Sequence, residues 1–304
     1  MNDIYDSLII GCGPCGVGAA LKLKEAGLNF AIIEGNMPGG KVNIAPRVDN
    51  YPGFKEIPGP QLAMEFYNRV NNNNIEVIYD QIDSLTKENN IFLLHGSEGE
   101  YRAKTVLIAT GTTEKKIGLP KENEFLGHGI SYCALCDGHF FKEKVITVIG
   151  GEYHALKEAI HLSHIASKLY IAYNKNEFKG NEKLANQLKE MDNVEFLTPY
   201  NLVEILGENK VEGVILENID TKERKELATD GLFPLVGLIP NTQFVHIDGV
   251  LDEKGTVPVN REMETGCPNL FAGGDILPRD IRQIYLAEHD GVVAAKSIMS
   301  KLNK

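Results

Sequence analysis

A short apolar run, Ser7-Leu8-Ile9-Ile10, leads directly into Gly11-Cys12-Gly13-Pro14-Cys15-Gly16, and this junction constrains the fold more than any other segment. A stretch with helical spacing follows, carrying Ala19, Ala20, Leu21 and Leu23. A second apolar run, Phe30-Ala31-Ile32-Ile33, then ends on Glu34. Apolar runs without alternation predict strands buried on both faces of a parallel sheet. Each glycine has a mechanical job: Gly11 makes the turn, Gly13 lets a pyrophosphate approach the backbone, and Gly16 lets helix and strand pack closely. Pro14 and the small residue at 15 serve the turn. The helix N-terminus offers free N–H groups and a positive dipole end to phosphates. Glu34 would accept a hydrogen bond from an adenosine ribose. In this context the glycine pattern predicts a dinucleotide site.

The same strand–turn–helix–strand unit returns at Val145-Ile146-Thr147-Val148-Ile149-Gly150-Gly151, with a helix through Ala155, Ala159, Ile160 and Leu162 and a strand over 168–173. Two further strands end in glycine turns, Thr105-Val106-Leu107-Ile108-Ala109-Thr110-Gly111 and Asn269-Leu270-Phe271-Ala272-Gly273-Gly274-Asp275. A flavin has to be held at several remote points, so these later segments favour FAD over NAD. A chain of 304 residues has room for two cores. Pro and Gly around 111–120 and 234–240 mark crossovers between them.

A formal charge of -11 argues against a nucleic-acid binder, which needs a surplus of Lys and Arg, although a local basic patch can sit on an acidic molecule. No apolar run approaches the ~18 residues of a membrane span. The N-terminal residues lack a basic head or a cleavage site, so a cytoplasmic protein is expected. Five cysteines are too few, and odd in number, for a secreted disulfide framework; in a reducing compartment paired cysteines are catalytic or metal-binding. Cys133-Ala134-Leu135-Cys136-Asp137 has the spacing of a small, reducible disulfide at a helix start, where the dipole favours a thiolate. Asp137 could handle protons there. The rival reading is half of a zinc site, with His128, His139 or His154 as further ligands; zinc needs about four. Cys12 and Cys15 share the spacing but lie inside the phosphate loop, and are expected to be buried and inert. Cys267 is read as a small hydrophobe.

The chain resembles the low-molecular-weight thioredoxin reductase family over nearly its whole length. The matching pieces, in order, are Gly11–Gly16, Glu34, Gly39-Gly40, Asn50-Tyr51-Pro52-Gly53, Ala109-Thr110-Gly111, Cys133-Ala134-Leu135-Cys136-Asp137-Gly138, Pro240-Asn241-Thr242, Gly274-Asp275 and Arg282-Gln283. The resemblance implies an α/β protein with two three-layer, Rossmann-like dinucleotide-binding domains, active as a homodimer. The FAD domain would be discontinuous, 1–112 with 243–304, and 113–242 would carry the redox pair. Cys136 would face the flavin and accept its electrons, Cys133 would exchange with thioredoxin or a thioredoxin-like protein, and Asp137 would donate a proton. The implied cofactor-binding set is Gly11, Gly13, Pro14, Gly16, Glu34, Gly40, Asn50, Ala109, Gly111, Gly274, Asp275, Arg282 and Gln283. Asp275 would take the ribityl chain and Gln283 the pyrimidine end of the ring.

The second loop departs from the family. It reads Gly150-Gly151-Glu152-Tyr153-His154-Ala155, with Glu152 at the middle glycine position. Two unit charges about 5 Å apart at an effective dielectric near 20 repel by about 3 kcal/mol. The family's His-Arg-Arg run, which grips a 2′-phosphate, is replaced by Tyr173-Asn174-Lys175, and Lys179 stands where another arginine is usual. Lysine lacks the bidentate fork of arginine. These losses point towards the pyridine-nucleotide-independent branch, which takes electrons from ferredoxin, an acidic partner. Lys115, Lys116, Lys142, Lys144, Lys175 and Lys179 are candidates for a basic patch. The alternatives are an NADPH-dependent thioredoxin reductase, a diflavin-linked disulfide oxidoreductase and a non-catalytic redox-sensing flavoprotein.

Overall fold

A computed structural model describes residues 4–45, 47–178, 181–279 and 281–303, without the side chains of Leu135 and Cys136. The chain divides into unit 1, Met1–Thr113 with Ile239–Lys304, and unit 2, Glu114–Leu238. The architecture is α/β, as expected.

Unit 1 begins β1 (Tyr5–Ile10), α1 (Pro14–Glu25), β2 (Phe30–Glu34), α2 (Gly59–Asn72) and β3 (Val77–Tyr79). A meander follows: β4 (Ile82–Glu88), β5 (Ile91–Gly96) and β6 (Glu100–Ile108), then the short β7 (Thr112–Glu114). The strands lie in the order β3-β2-β1-β6-β5-β4, with β1, β2, β3 and β6 parallel. Successive side chains of β1 and β2 enter opposite cores. Ile9, Phe30 and Ile32 pack under α1, α2 and the C-terminal helix, while Leu8, Ile10, Ala31 and Ile33 pack under the β4–β5 hairpin and Phe244, Val245, Val250 and Val257. Burial on both faces is why these runs show no polar alternation.

Unit 2 contains α3 (Ala134–Asp137), β8 (Val145–Ile149), α4 (Tyr153–Ser163), β9 (Lys168–Ala172), α5 (Glu182–Lys189), β10 (Val194–Leu197), β11 (Tyr200–Leu206), β12 (Gly213–Asn218), β13 (Arg224–Ala228) and β14 (Gly231–Pro234). Its parallel sheet runs β10-β9-β8-β14. Helices α4 and α5 cover one face and the antiparallel β11-β12-β13 sheet covers the other. The chain returns to unit 1 through β15 (Leu238–Pro240), β16 (Leu270–Ala272) and α6 (Ile284–Lys301). β16 pairs with the end of β6, and so restores the C-terminal segment to the sheet that the N-terminal segment began. No helix among the described residues is long and apolar enough to cross a membrane.

Helix α6 lies against α1 at backbone distance. A Cβ on Gly291 would collide with the carbonyl oxygen of Cys15 and lie 2.9 Å from the amide nitrogen of Ala19. Gly291→Ala should therefore destabilise unit 1 by about 1–3 kcal/mol through overpacking. A urea-unfolding curve checks this; an unchanged midpoint would show that the two helices can separate freely.

Candidate active site

At the first glycine loop, Gly11 takes φ +107 and donates its N–H to the Ile33 carbonyl at 2.8 Å, tying the turn to β2. A Cβ there would lie 2.5 Å from the Ala109 oxygen, so only glycine fits. A Cβ on Gly16 would strike the Gly11 carbonyl, whereas one on Gly13 would meet nothing within 4 Å. The three glycines thus divide as turn, open approach and close packing. Pro14 begins α1 after Gly13, which leaves the helix without a side-chain cap. Gly40 opens a 3-10 turn (Gly40–Ile44), and its Cβ position lies 3.7 Å from Gly13 Cα. Buried Glu34 accepts the N–H of Cys12 at 2.7 Å and that of Asn36 at 2.9 Å, and so anchors the loop as well as ending β2.

The C-terminal segment completes the same side of unit 1. Gly274 (φ +78) opens a 3-10 turn ending at Ile276 and presents Asp275. Burial pushes the Asp275 carboxyl up from its ordinary range, opposed by the charges of Lys41, Arg282 and Arg279. Arg282 Nε donates to the Asp275 carbonyl at 3.1 Å. Gln283 caps α6 through extended backbone, and its Oε1 accepts from Asn50 Nδ2 at 2.6 Å. Ala109 is buried, donating its N–H to Ile10, and Gly111 (φ +65) accepts from the Asn241 N–H at 3.0 Å.

Sequence reading missed the clamp beneath this segment. Asp290 of α6, 3% exposed, accepts the Gly274 N–H at 2.9 Å and both terminal nitrogens of Arg279, at 2.5 and 3.2 Å. Arg279 returns a bond to the Gly274 carbonyl at 3.3 Å. The bidentate, charge-assisted pair fixes the turn that carries Asp275. A lone acid in a helix reads as a solvated face, so no sequence signal pointed to it. These residues fit FAD. Gly13 leaves room for a phosphate at the head of α1, Asp275 is a half-buried acid under the opposing charges of Lys41, Arg282 and Arg279, and Arg279 Nε is buried with no protein partner among the described residues.

In unit 2, Cys133 is disulfide-bonded and immediately precedes α3. Ser131 steadies it, its hydroxyl accepting the Cys133 N–H at 3.1 Å. Asp137 ends α3 and donates its N–H to the Cys133 carbonyl at 3.1 Å. The side chain of Cys136 lies outside the described residues. Helix α3 is a single turn, so its dipole is weaker than the sequence reading assumed. By contrast, Cys12, Cys15 and Cys267 are free. Burial, then the Glu34 charge, pushes the Cys12 thiol up to about 12, and burial raises Cys15 as well. Both shifts disfavour a thiolate near neutrality, in line with their expected inertness. No metal-holding cluster occurs among the described residues.

The second glycine loop has a different occupant. The ring of Tyr173 lies where a Cβ on Gly151 would point. Glu152, at the N-cap of α4, accepts from Tyr173 Oη at 2.7 Å and from Lys175 Nζ at 2.8 Å. Tyr173 is stacked on Phe178, with ring centres 5.1 Å apart. Lys175 is therefore engaged in an ion pair, and Lys179 lies outside the described residues.

Replacing Asp290 with Asn should weaken FAD retention at least about tenfold, ~1.4 kcal/mol, because Arg279 loses its counter-charge. Flavin-to-protein absorbance after desalting reads this, and full retention would remove the clamp from the cofactor site. Iodoacetamide at pH 8 should leave Cys12 and Cys15 unlabelled until the protein is unfolded; peptide mapping that finds them labelled in the folded protein would contradict their burial.

The family model described as pyridine nucleotide-disulphide oxidoreductase matches residues 5–291. The thioredoxin reductase of Mycoplasma pneumoniae is 39% identical over 301 residues, 98% of this chain and 96% of that protein. The crystal structure of thioredoxin reductase from Streptococcus pyogenes superposes with a TM-score of 0.79 at 36% identity, covering 100% of this chain and 99% of that one. A ferredoxin-flavin thioredoxin reductase from Clostridium acetobutylicum aligns less well, with a TM-score of 0.54 at 31% identity and 99% coverage of both chains. The expected placement in the ferredoxin-dependent branch is not favoured by these likenesses. Cradle, disulfide-bonded cysteine and whole-length similarity agree: the chain belongs to the pyridine nucleotide-disulphide oxidoreductases, and among them to the FAD-binding, low-molecular-weight thioredoxin reductases.

Proposed function

We propose that the protein reduces the disulfide of thioredoxin, or of a thioredoxin-like protein, through FAD held by unit 1 and a Cys133–Cys136 disulfide in unit 2. The observation that carries this reading is a disulfide-bonded Cys133 at the head of α3 in a chain of this family. When bound, FAD supplies the two-electron relay between an external donor and the disulfide. The residues around it bind and orient: the loop Gly11–Gly16 takes the phosphates, Glu34 the ribose, Asp275 the ribityl hydroxyls, and Asn50, Arg282 and Gln283 the ring end. Two electrons enter the pair at Cys136 and break its S–S bond. The Cys133 thiolate then attacks the thioredoxin disulfide to form a mixed disulfide. Cys136 attacks Cys133, re-forming the internal bond and releasing thioredoxin as a dithiol, with Asp137 supplying a proton to a leaving thiolate. The protein works as a homodimer in the cytoplasm, where such thiols stay reduced.

Two readings of the electron donor rest on different observations. Family likeness favours a pyridine nucleotide, NADPH, acting at unit 2. The second reading is a donor that needs no nucleotide site, ferredoxin. It is favoured by Glu152, a carboxylate at the place Gly13 holds in the first loop, tied there to Tyr173 and Lys175.

Anaerobic mixing separates them. Bleaching of the flavin absorbance by micromolar NADPH establishes the first reading. Bleaching by reduced ferredoxin, slowed by salt, with no response to millimolar NADPH or NADH, establishes the second. For the disulfide itself, Cys136→Ser should abolish thioredoxin reduction, while Cys133→Ser should do so and leave a long-wavelength charge-transfer band. Turnover surviving both substitutions would overturn the assignment of the pair.

A further inference from the structure

Glu158 of α4 is a buried acid, 8% exposed, in the helix packed against the redox segment. Its Oε2 accepts the backbone N–H of Ala134, the residue after Cys133, at 2.9 Å. Neither the glycine loops nor the cysteine spacing called for it. A backbone N–H at the head of a turn is one of the groups that stabilise a neighbouring thiolate. Here that N–H is taken by a carboxylate, an acidic group held one residue along the chain from Cys133.

We infer that Glu158 is a positioning residue that holds the Cys133 thiol protonated in the reduced enzyme, keeping the pair reducing instead of oxidising. The inference rests on the proposed role of Cys133. Reduction of its disulfide breaks one S–S bond and takes two electrons; two protons complete the dithiol. A site that stabilises the thiolate favours this reduced form and makes the pair an oxidant, whereas a reductase needs a basic, nucleophilic thiolate and a disulfide that re-forms readily. The other titratable groups facing the segment are Asp137 on α3, His139 in the turn that follows, and His161 on α4, whose ring lies 3.7 Å from the Cβ position of Gly138. Glu122, bound to the Tyr132 hydroxyl and to the N–H groups of Ile117 and Gly118, lies on the preceding loop. Among these, Glu158 is the group bonded to the cysteine turn itself through Ala134.

Glu158→Gln keeps an acceptor for the Ala134 N–H and removes the charge; Glu158→Asp keeps the charge and withdraws the acceptor. The flavin-loaded enzyme is reduced with dithiothreitol, desalted anaerobically and alkylated with iodoacetamide across pH, with Cys133 followed by peptide mass spectrometry. Glu158→Gln should move the Cys133 profile to lower pH by about one unit, about tenfold more thiolate below the midpoint, while Glu158→Asp, which keeps the charge but frees the Ala134 N–H, should move it by clearly less. An unmoved or upward-shifted profile in Glu158→Gln overturns the inference, as does an equal shift in both variants, which would mark a merely structural bond. Labelling is read without thioredoxin, so failed thioredoxin turnover with the expected shift would indict the proposed function and leave the role of Glu158 standing.

Discussion

Everything in unit 1 is registered by one backbone contact, the approach of α1 to the Gly11 turn on one side and to α6 on the other. Gly16 faces the Gly11 carbonyl and Gly291 faces the Cys15 carbonyl, each with no room for a methyl group. Cys15 itself fills the space beside Gly273, its Sγ 2.7 Å from where a Cβ there would be. The start and end of the chain therefore meet at the phosphate loop. That meeting lets residues as distant in sequence as Asn50 and Gln283, or Gly40 and Gly13, form one cradle. The C-x-x-C pair at this loop fills packing space as small, buried side chains, and burial raises both thiols.

Unit 2 repeats the strand–turn–helix plan under another rule. Gly150 keeps its left-handed turn, at φ +140, and packs against the Leu235 carbonyl, so the strand–helix junction survives. The open approach does not survive. Tyr173 stacks on Phe178 and donates its hydroxyl to Glu152, which stands at the position of Gly13. The same plan in unit 2 carries a carboxylate where unit 1 has Gly13, and its helix α4 also supplies Glu158 to the cysteine turn.

The two strand–turn–helix–strand units were legible because their apolar runs are uninterrupted and their glycines are spaced by the turn: 145–149, 153–163 and 168–172 all fall where the pattern put them. The antiparallel strands were not. β11 carries a register shift between Leu202 and Glu204, and β4 another between Ile82 and Ser84, so neither shows a clean alternation. At the site, residues that touch ligand or carry thiols have recognisable types and spacings. Residues that hold those residues do not: Arg279, Asp290 and Glu158 act through contacts between elements far apart in the chain, and a lone acid in a helix reads as a solvated face. Lys175, a candidate for a basic patch, is paired with Glu152, a contact between elements that the sequence does not display.

Identifying the bound cofactor tests this assembly most directly, because the two glycine loops make opposite demands. Unit 1 has an open loop at Gly13 with a half-buried acid, Asp275; unit 2 has a carboxylate, Glu152, in place of the glycine. Heat release of the flavin from purified protein, followed by chromatography and quantitation against chain concentration, should give FAD at one per chain. FMN, no flavin, or two FAD per chain would contradict it: the first two would remove the cradle built by Gly11–Gly16, Asp275 and the Arg279–Asp290 clamp, and the third would place a nucleotide at the loop that carries Glu152.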